Sequence, residues 1–233
     1  MQRVSVGFLE AGMVAARNVH SAEGRLLVTK DTVLSEAMVA NIQKTSLGSI
    51  YVRNPLFQDI EAEEVVTEDN RRKAVMALKN AVTAYRKTKV LDVQPLKKAL
   101  GDLVVEIIRN RDSMIHQLDM RTYQDYIYAH SVNTCVLSVL IAVNMDYPEG
   151  KLTDLALGTM LHDIGMMMLP DALLLKMGNL SPEESKLVQQ HPEDGFNILR
   201  AVREIPITVA HIAYQHHERV DGQGYPRNLT ADK

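Results

Sequence analysis

The residues best suited to chemistry in this 233-residue chain are histidines and one aspartate. A His162-Asp163 pair, a His191-Pro192 dipeptide and a His216-His217 pair follow an isolated upstream histidine. Imidazole and carboxylate groups without a thiolate favour iron or manganese, with zinc, nickel or cobalt as alternatives. The predicted metal ligands are His130, His162, Asp163, His191, His216 and His217.

The adjacent ligand pairs indicate two metal ions. Neighbours in a helix are rotated by about 100°, so His162 and Asp163 cannot share one helix face. At a helix end this divergence lets the two members of a pair reach different ions. We expect Asp163 to bridge the two ions through its carboxylate. Sites of this type polarise a phosphoryl oxygen and generate hydroxide near neutral pH, so the expected reaction is phosphate ester hydrolysis.

Helices are predicted to position these ligands. Residues 124–144 are predicted to form a helix whose apolar face includes His130. Thr153 is a predicted cap for a helix over residues 154–164, which places His162 and Asp163 in its last turn. Gly165 is then expected in the left-handed conformation that often ends a helix.

Two more helices are predicted to end at histidines. Ser181-Pro182-Glu183-Glu184 is typical of a helix start, with a Ser cap, a first-turn Pro and an acidic residue three positions after the cap. That helix should end at His191, because Pro192 disfavours helical geometry in its predecessor. A final helix over residues 207–217 follows Pro206. Ligands at helix ends are carried by rigid elements that can aim them at one point.

The chain before these helices is predicted to form a separate part. Residues 1–66 contain short strand patterns, including residues 50–52, and a helix over residues 35–46 capped by Ser35. We interpret residues 1–66 as a small β-rich (α+β) module for sensing, docking or dimerisation. Residues 67–100 are predicted to be connecting helices, with Thr67 capping the first, and residues 101–233 a helical domain.

The composition limits the classes of function. With 46% hydrophobic and 24% charged residues, the chain is predicted to be globular. A net charge of −3 without a basic stripe argues against duplex nucleic acid as a partner. The single Cys135 excludes an internal disulfide and fits a reducing compartment. No apolar run approaches the roughly 20 residues of a membrane-spanning helix, and no signal peptide is evident, so a cytoplasmic location is expected.

Several motifs together resemble the HD-GYP family, a branch of the HD metal-dependent phosphohydrolases. They are Leu161-His162-Asp163-Ile164-Gly165, Leu169-Pro170-Asp171, Leu174-Leu175-Lys176, Leu180 through Glu184, His191-Pro192, and His216 through Pro226. The resemblance implies a mainly α fold with an HD-type helical bundle that hydrolyses cyclic di-GMP to pGpG or GMP. The reaction would use a hydroxide bridging two divalent metal ions, with His162 and Asp163 as catalytic residues and all six ligands at matching positions.

The resemblance also suggests where substrate and partners bind. Lys176 would contact a phosphate. The loop that names the family would supply further contacts, and it could dock diguanylate cyclase-type signalling proteins. The substrate-binding prediction for this loop comprises Arg219, Asp221, Gly222, Gly224, Tyr225 and Pro226. A homodimer through the connecting helices is a further hypothesis. His20, His116 and His211 are assigned surface or packing roles.

Three departures from the family leave alternatives open. Met166 stands where the family usually has a lysine, and losing that cation would reduce activity. Tyr126 stands where some members have a glutamate linked to a third metal, which favours two metals. The chain ends at Lys233, before the helices that carry another Asp ligand in the family, so the domain looks truncated. The alternatives are a catalytically weak module that binds cyclic di-GMP or docks a protein, and a phosphohydrolase for another nucleotide.

Overall fold

The computed structural model describes residues 1–21, 25–45, 47–54, 65–113, 126–176 and 178–231. The chain divides into two compact units, Met1–Glu63 with Asp119–Tyr126, and Glu64–Leu118 with Ile127–Lys233. His116 and the first two residues of the helix predicted over 124–144 lie outside the described residues.

The first unit is a small β-rich module, as the sequence predicts. Strand β1 (Gln2–Ser5) pairs antiparallel with β4 (Ser49–Val52), and β2 (Val19–His20) pairs antiparallel with β3 (Leu26–Val28). A 3-10 turn at Val6–Phe8 and helix α1 (Glu36–Gln43) complete its regular elements in the described residues. Ser35 Oγ accepts a hydrogen bond from the Met38 backbone N–H, which confirms the predicted cap. Its own apolar core includes Leu34, Ile42 and Ile50.

The second unit is helical, which confirms the mainly α fold class. Its elements are α2 (Glu68–Thr88), α3 (Gln94–Arg109), α4 (Tyr126–Asn144), α5 (Glu149–Leu161), a 3-10 helix at Met166–Met168, α6 (Asp171–Leu174), α7 (Pro182–Gln189), α8 (His191–Arg200) and α9 (Ile207–Gln215). Leu78 of α2, Leu103 of α3, Val136 of α4 and Leu157 of α5 are almost completely buried in one apolar core. Helices α2 and α3 therefore pack into the helical unit.

Two predicted helix boundaries near the ligands are wrong. Helix α5 begins at Glu149 after Pro148, so Thr153 lies inside the helix and does not cap it. Gly165 has φ −64° and ψ −41°, which is ordinary right-handed backbone, where the sequence predicts a left-handed end. The acidic Glu149 in the first turn favours a helix start directly after Pro148, one turn before Thr153.

His191 begins a helix, although the sequence predicts that it ends one. Helix α7 stops at Gln189, and α8 continues from His191 to Arg200 with Pro192 in its first turn. Proline is tolerated there because a first-turn N–H has no partner inside the helix. The capping box of Ser181 and Glu184 at the start of α7 is confirmed.

The start of α2 is predicted correctly, but its capping group is not. Thr67 makes no capping hydrogen bond to the first turn of α2. Its backbone N–H and its hydroxyl instead donate to the Glu106 carboxylate, at 3.1 and 3.4 Å. A carboxylate on α3 therefore replaces the expected local cap with a bond between helices.

Helix α4 bears on the expectation of no membrane span. It is long enough and apolar enough to cross a membrane, and it is the one such helix in the described part of the chain. Half of its most apolar window is buried inside the protein, and Val132, Val136 and Val139 lie in the core. A buried core helix passes the same test of composition, so this helix is weak evidence for a membrane.

Candidate metal centre

The Asp163 carboxylate lies at the centre of four imidazoles. Its Oδ1 is 3.4 Å from His191 Nε2 and 3.3 Å from His216 Nε2. Its Oδ2 is 3.1 Å from His162 Nε2 and 3.7 Å from His130 Nε2. Each carboxylate oxygen therefore faces its own pair of histidines.

The potential ligands form two groups that share Asp163. In each group the ligand atoms lie within 4.8 Å of one another. We call Asp163, His191, His216 and His217 the first group, and His130, His162 and Asp163 the second group. Asp163 is the one member of both among the described residues. The structure thus brings together all six residues that the sequence predicts as ligands.

Three of the histidines are oriented by the same local hydrogen bond. The Nδ1 atoms of His162, His191 and His216 lie 2.7, 2.6 and 2.9 Å from the backbone carbonyl oxygens three residues earlier. A carbonyl oxygen only accepts, so Nδ1 carries the hydrogen and donates it. The Nε2 atom then presents a lone pair towards Asp163, as a metal ligand must.

The spacing of His191 and His216 fits a shared cation. Their Nε2 atoms are 3.1 Å apart, and each presents a lone pair because its Nδ1 carries the hydrogen. Two lone pairs at this distance repel each other, and a cation between them removes the repulsion. Two nitrogens bound to one ion at about 2.0–2.1 Å lie roughly 3 Å apart when the angle between them is near 90°. The residues present therefore fit a metal ion.

The electrostatics hold Asp163 ionised. Burial alone would raise the pKa of its carboxyl, but the surrounding imidazoles of His162, His191 and His216 outweigh burial and keep that pKa well below its usual value. Burial opposes protonation of His162, yet the Asp163 carboxylate favours the protonated ring by charge and by the hydrogen bond that this ring would donate, so the His162 pKa is raised overall. The carboxylate is thus in the state that a metal ligand requires.

Two other imidazoles are held neutral. Burial, with the nearby His216 and His191, lowers the pKa of His217 to about 4. Burial also lowers the pKa of His130, against the opposing charge of Asp163. Neutral histidines do not have to lose a proton when they bind a metal at neutral pH.

Two glycines let α8 approach the turn that carries Asp163. A Cβ atom on Gly165 would collide with the backbone carbonyl oxygen of His191 and lie 2.9 Å from the backbone nitrogen of Gly195. Gly195 is buried in α8 and faces Gly165 in return. The glycine at position 165 is therefore needed for a close backbone approach, which places His191 beside Asp163.

The loop after the His216-His217 pair folds back onto it. The Tyr225 ring stacks on His217 with ring centroids 4.5 Å apart and planes 15° from parallel. The Tyr225 N–H donates to the His217 carbonyl at 3.2 Å, and the Tyr225–Pro226 peptide bond is cis. A Cβ on Gly224 would lie 2.6 Å from the His217 carbonyl oxygen, so only glycine allows this contact. The loop thus supports a ligand of the first group.

A known family accounts for this centre. The profile of the HD domain matches residues 102–233, more than half of the chain. This chain belongs to the HD domain family. The His-Asp pair and the His216–Pro226 loop of its own sequence, together with this match, identify it as an HD-GYP domain.

The relatives of this HD-GYP domain are longer proteins. A cyclic di-GMP phosphodiesterase of Pseudomonas aeruginosa is 29% identical over 176 residues, which cover 72% of this chain and 42% of that protein. A cyclic di-GMP phosphodiesterase of Thermotoga maritima is 39% identical over 129 residues, which cover 55% of this chain and 34% of that protein. The chain therefore spans less than half the length of these curated relatives.

A solved structure shows the same fold. The HDG"Y"P protein from Bdellovibrio bacteriovorus matches with a TM-score of 0.57 at 20% identity, over 99% of this chain and 81% of that one. At this identity the likeness concerns the fold, and the details of the HD-GYP site rest on the chain's own residues.

The predicted substrate-binding residues of the HD-GYP domain lie outside the six-residue cluster. Lys176 Nζ is 2.5 Å from the Glu184 carboxylate, and Arg219 makes two hydrogen bonds to Asp221 at 3.0 and 2.6 Å. Among the described residues, no hydrogen bond or ion pair joins these three predicted contacts to a histidine of the cluster. Gly222 has φ +72°, where a side chain would be strained, which accounts for glycine at this position of the loop.

Some supporting residues of the HD-GYP site were missed in the sequence. The Glu218 carboxylate accepts hydrogen bonds from the backbone N–H groups of Arg227 and Leu229 at 2.6 and 2.8 Å, and these bonds fix the loop. Its position directly after the ligand pair was a usable signal. The carbonyls of Thr159, Val188 and Ala213 orient the histidines, but a backbone group leaves no signal in the residue types.

Proposed function

We propose that this chain is the HD-GYP part of a metal-dependent phosphodiesterase that hydrolyses cyclic di-GMP to pGpG, GMP or both. The observation that carries the proposal is the Asp163 carboxylate, whose two oxygens face two different groups of histidines. The names of the longer relatives, both cyclic di-GMP phosphodiesterases, support this substrate.

The two ligand groups would each hold one divalent ion, with iron or manganese preferred. When bound, such a pair of ions polarises a phosphoryl oxygen and supplies a nucleophile from water near neutral pH. Asp163 contributes by staying ionised between the two groups. His162 contributes an Nε2 lone pair that its Nδ1 bond to the Thr159 carbonyl keeps aimed inwards.

Substrate contacts are assigned to the polar side chains of Lys176 and Arg219. Lys176 would exchange its Glu184 partner for a phosphate oxygen, and Arg219 would do the same with Asp221. Tyr225, Gly222, Gly224 and Pro226 give the loop its shape. The same loop is the proposed surface for diguanylate cyclase-type proteins, and a homodimer remains part of the proposal.

The test is turnover of cyclic di-GMP by protein purified without oxygen and loaded with iron or manganese. We expect pGpG or GMP to accumulate in chromatograms. His162→Ala and Asp163→Ala should abolish turnover. His211→Ala is the matched control, because His211 packs against Phe196 with ring centroids 5.2 Å apart and belongs to neither ligand group. Loss of activity in the control but not in the ligand variants would contradict the proposal.

One observation favours a catalytically weak module that binds the nucleotide. Met166 stands where the resemblance expects a lysine, so the turn after Asp163 lacks a cation at that position. Tight binding of cyclic di-GMP without product by the metal-loaded protein would select this second function. Met166→Lys should then restore turnover, because the added cation stabilises phosphate charge.

A further inference from the structure

A residue outside the HD profile binds the turn that carries Asp163. Arg86 lies in the last turn of α2, before the matched residues 102–233. Its Nε donates to the Met167 carbonyl at 2.8 Å, and its Nη2 donates to the Leu169 carbonyl at 3.3 Å. Its Nη1 donates to Asp171 Oδ1 at 2.9 Å. One guanidinium therefore spans the whole 3-10 turn and the start of α6.

Met167 connects this guanidinium to the metal centre. The Met167 N–H donates to the Asp163 carbonyl at 3.1 Å, while the Met167 carbonyl accepts from Arg86. Met167 is only 1% exposed, so its side chain is fixed by packing in the apolar core. Its backbone carbonyl is fixed by the hydrogen bond from Arg86. The backbone of Asp163 is thus two hydrogen bonds away from α2.

The hydrogen bonds from Arg86 to the Met167 and Leu169 carbonyls contribute more than its contact with Asp171. The last carbonyls of a short 3-10 helix have no partners within the helix, and a cationic donor satisfies them with strong hydrogen bonds. The contact with Asp171 contributes little, because that side chain is 69% exposed and solvent screens the pair. A lysine has one nitrogen and cannot reproduce the planar fork of arginine.

We propose that Arg86 is a positioning residue for the metal centre, acting through the Met167 backbone on Asp163. The inference rests on the proposed metal-binding role of Asp163. Because Asp163 belongs to both ligand groups, a looser turn would weaken both. Partners that orient metal ligands typically change metal affinity by about 10–100-fold when they are removed.

The test compares four variants of the full chain by titration with Mn²⁺ in the absence of nucleotide. Arg86→Gln should raise the Mn²⁺ dissociation constant by about tenfold or more. Arg86→Lys should give a smaller rise of the dissociation constant, because one cationic donor nitrogen remains. Asp171→Asn and the matched control Lys87→Gln, on the same turn of α2, should stay within about twofold of the wild type. Thermal unfolding of the metal-free proteins is measured in parallel.

The outcomes separate positioning from mere stability. If Arg86→Gln lowers the unfolding temperature but leaves the Mn²⁺ dissociation constant unchanged, Arg86 is only structural and the inference is overturned. It is also overturned if Asp171→Asn weakens Mn²⁺ binding as much as Arg86→Gln, or if the wild type binds no Mn²⁺. If Arg86→Gln does not fold, the Mn²⁺ dissociation constant of Arg86→Lys is compared with that of the wild type instead, and an unchanged value overturns the inference. A wild type that binds Mn²⁺ without hydrolysing cyclic di-GMP would refute the proposed function alone.

Discussion

At the scale of single residues, the centre depends on protonation states set by the protein itself. Interactions with three nearby imidazoles keep Asp163 ionised despite its burial. Burial and neighbouring imidazoles keep His217 neutral. Both states are those of metal ligands, so the site is prepared for cations before any cation binds.

The low pKa of His217 predicts a specific pH dependence in the metal-free protein. In the folded chain this pKa is about 4, compared with the ordinary value of 6.5. Between these values the unfolded chain binds a proton that the folded chain does not, so stability falls as the pH drops from 6.5 to 4. Allowing for solvent screening, the loss should be about 1 kcal/mol.

The measurement is thermal unfolding at pH 7 and pH 5 in the presence of a chelator. The decrease in unfolding temperature from pH 7 to pH 5 should be smaller for His217→Gln than for the wild type. Asp163 stays ionised in this range and His162 is present in both proteins, so neither accounts for the difference. Equal decreases would contradict the assignment of a low pKa to His217.

At the scale of elements, five of the six ligands lie at helix ends, and His130 lies inside α4. Asp163 follows α5, His191 begins α8, and His216 and His217 follow α9. Gly165 and Gly195 allow α8 to contact the turn after α5. A side chain at this crossing would separate His191 from Asp163.

Gly165→Ala should destabilise the protein by about 1–3 kcal/mol or more, since its Cβ would collide with backbone, which cannot rotate away. Gly101→Ala is the control, because a Cβ there meets nothing within 4 Å inside α3. Alanine at position 101 should stabilise the helix by up to about 1 kcal/mol. Urea unfolding measures both changes, and similar values for the two variants would contradict the close approach at Gly165.

The element scale also shows what the sequence could and could not predict. The strong start signals at Ser35 and Ser181 were correct, because the capping oxygen and the backbone N–H that donates to it lie within four residues of each other. The helix after His191 was missed, since the rule for residues before proline does not distinguish the end of one helix from the start of the next. The six predicted ligands converge, but Arg86 was not found because its partners are 81 to 85 residues away.

At the scale of the whole molecule, the HD domain depends on helices that precede its profile. Val65, Leu78, Leu96 and Leu100 are fully buried in the same core as α4 and α5, yet all lie before residue 102. Fully burying one leucine contributes about 1.5–3 kcal/mol, so this part of the core is comparable with the roughly 5–15 kcal/mol stability of a typical domain.

We therefore expect residues 65–233 to unfold cooperatively on heating and residues 102–233 to be unfolded or aggregated. The two shortened chains differ in residues 65–67, α2, the first half of α3 and the segment between the two helices. Circular dichroism and calorimetry compare them directly. A cooperative transition of residues 102–233 at the temperature of the longer chain would show that α2 and α3 are dispensable.

Counting the metal ions on ligand variants tests the shared role of Asp163 most directly. The proteins are loaded with Mn²⁺, dialysed and analysed by mass spectrometry of the bound metal. We predict two ions on the wild type, one each on His130→Ala and His217→Ala, and none on Asp163→Ala, because Asp163 is the one described residue that belongs to both groups. A single ion on the wild type, or an Asp163→Ala protein that still holds two, would contradict a centre organised around this carboxylate.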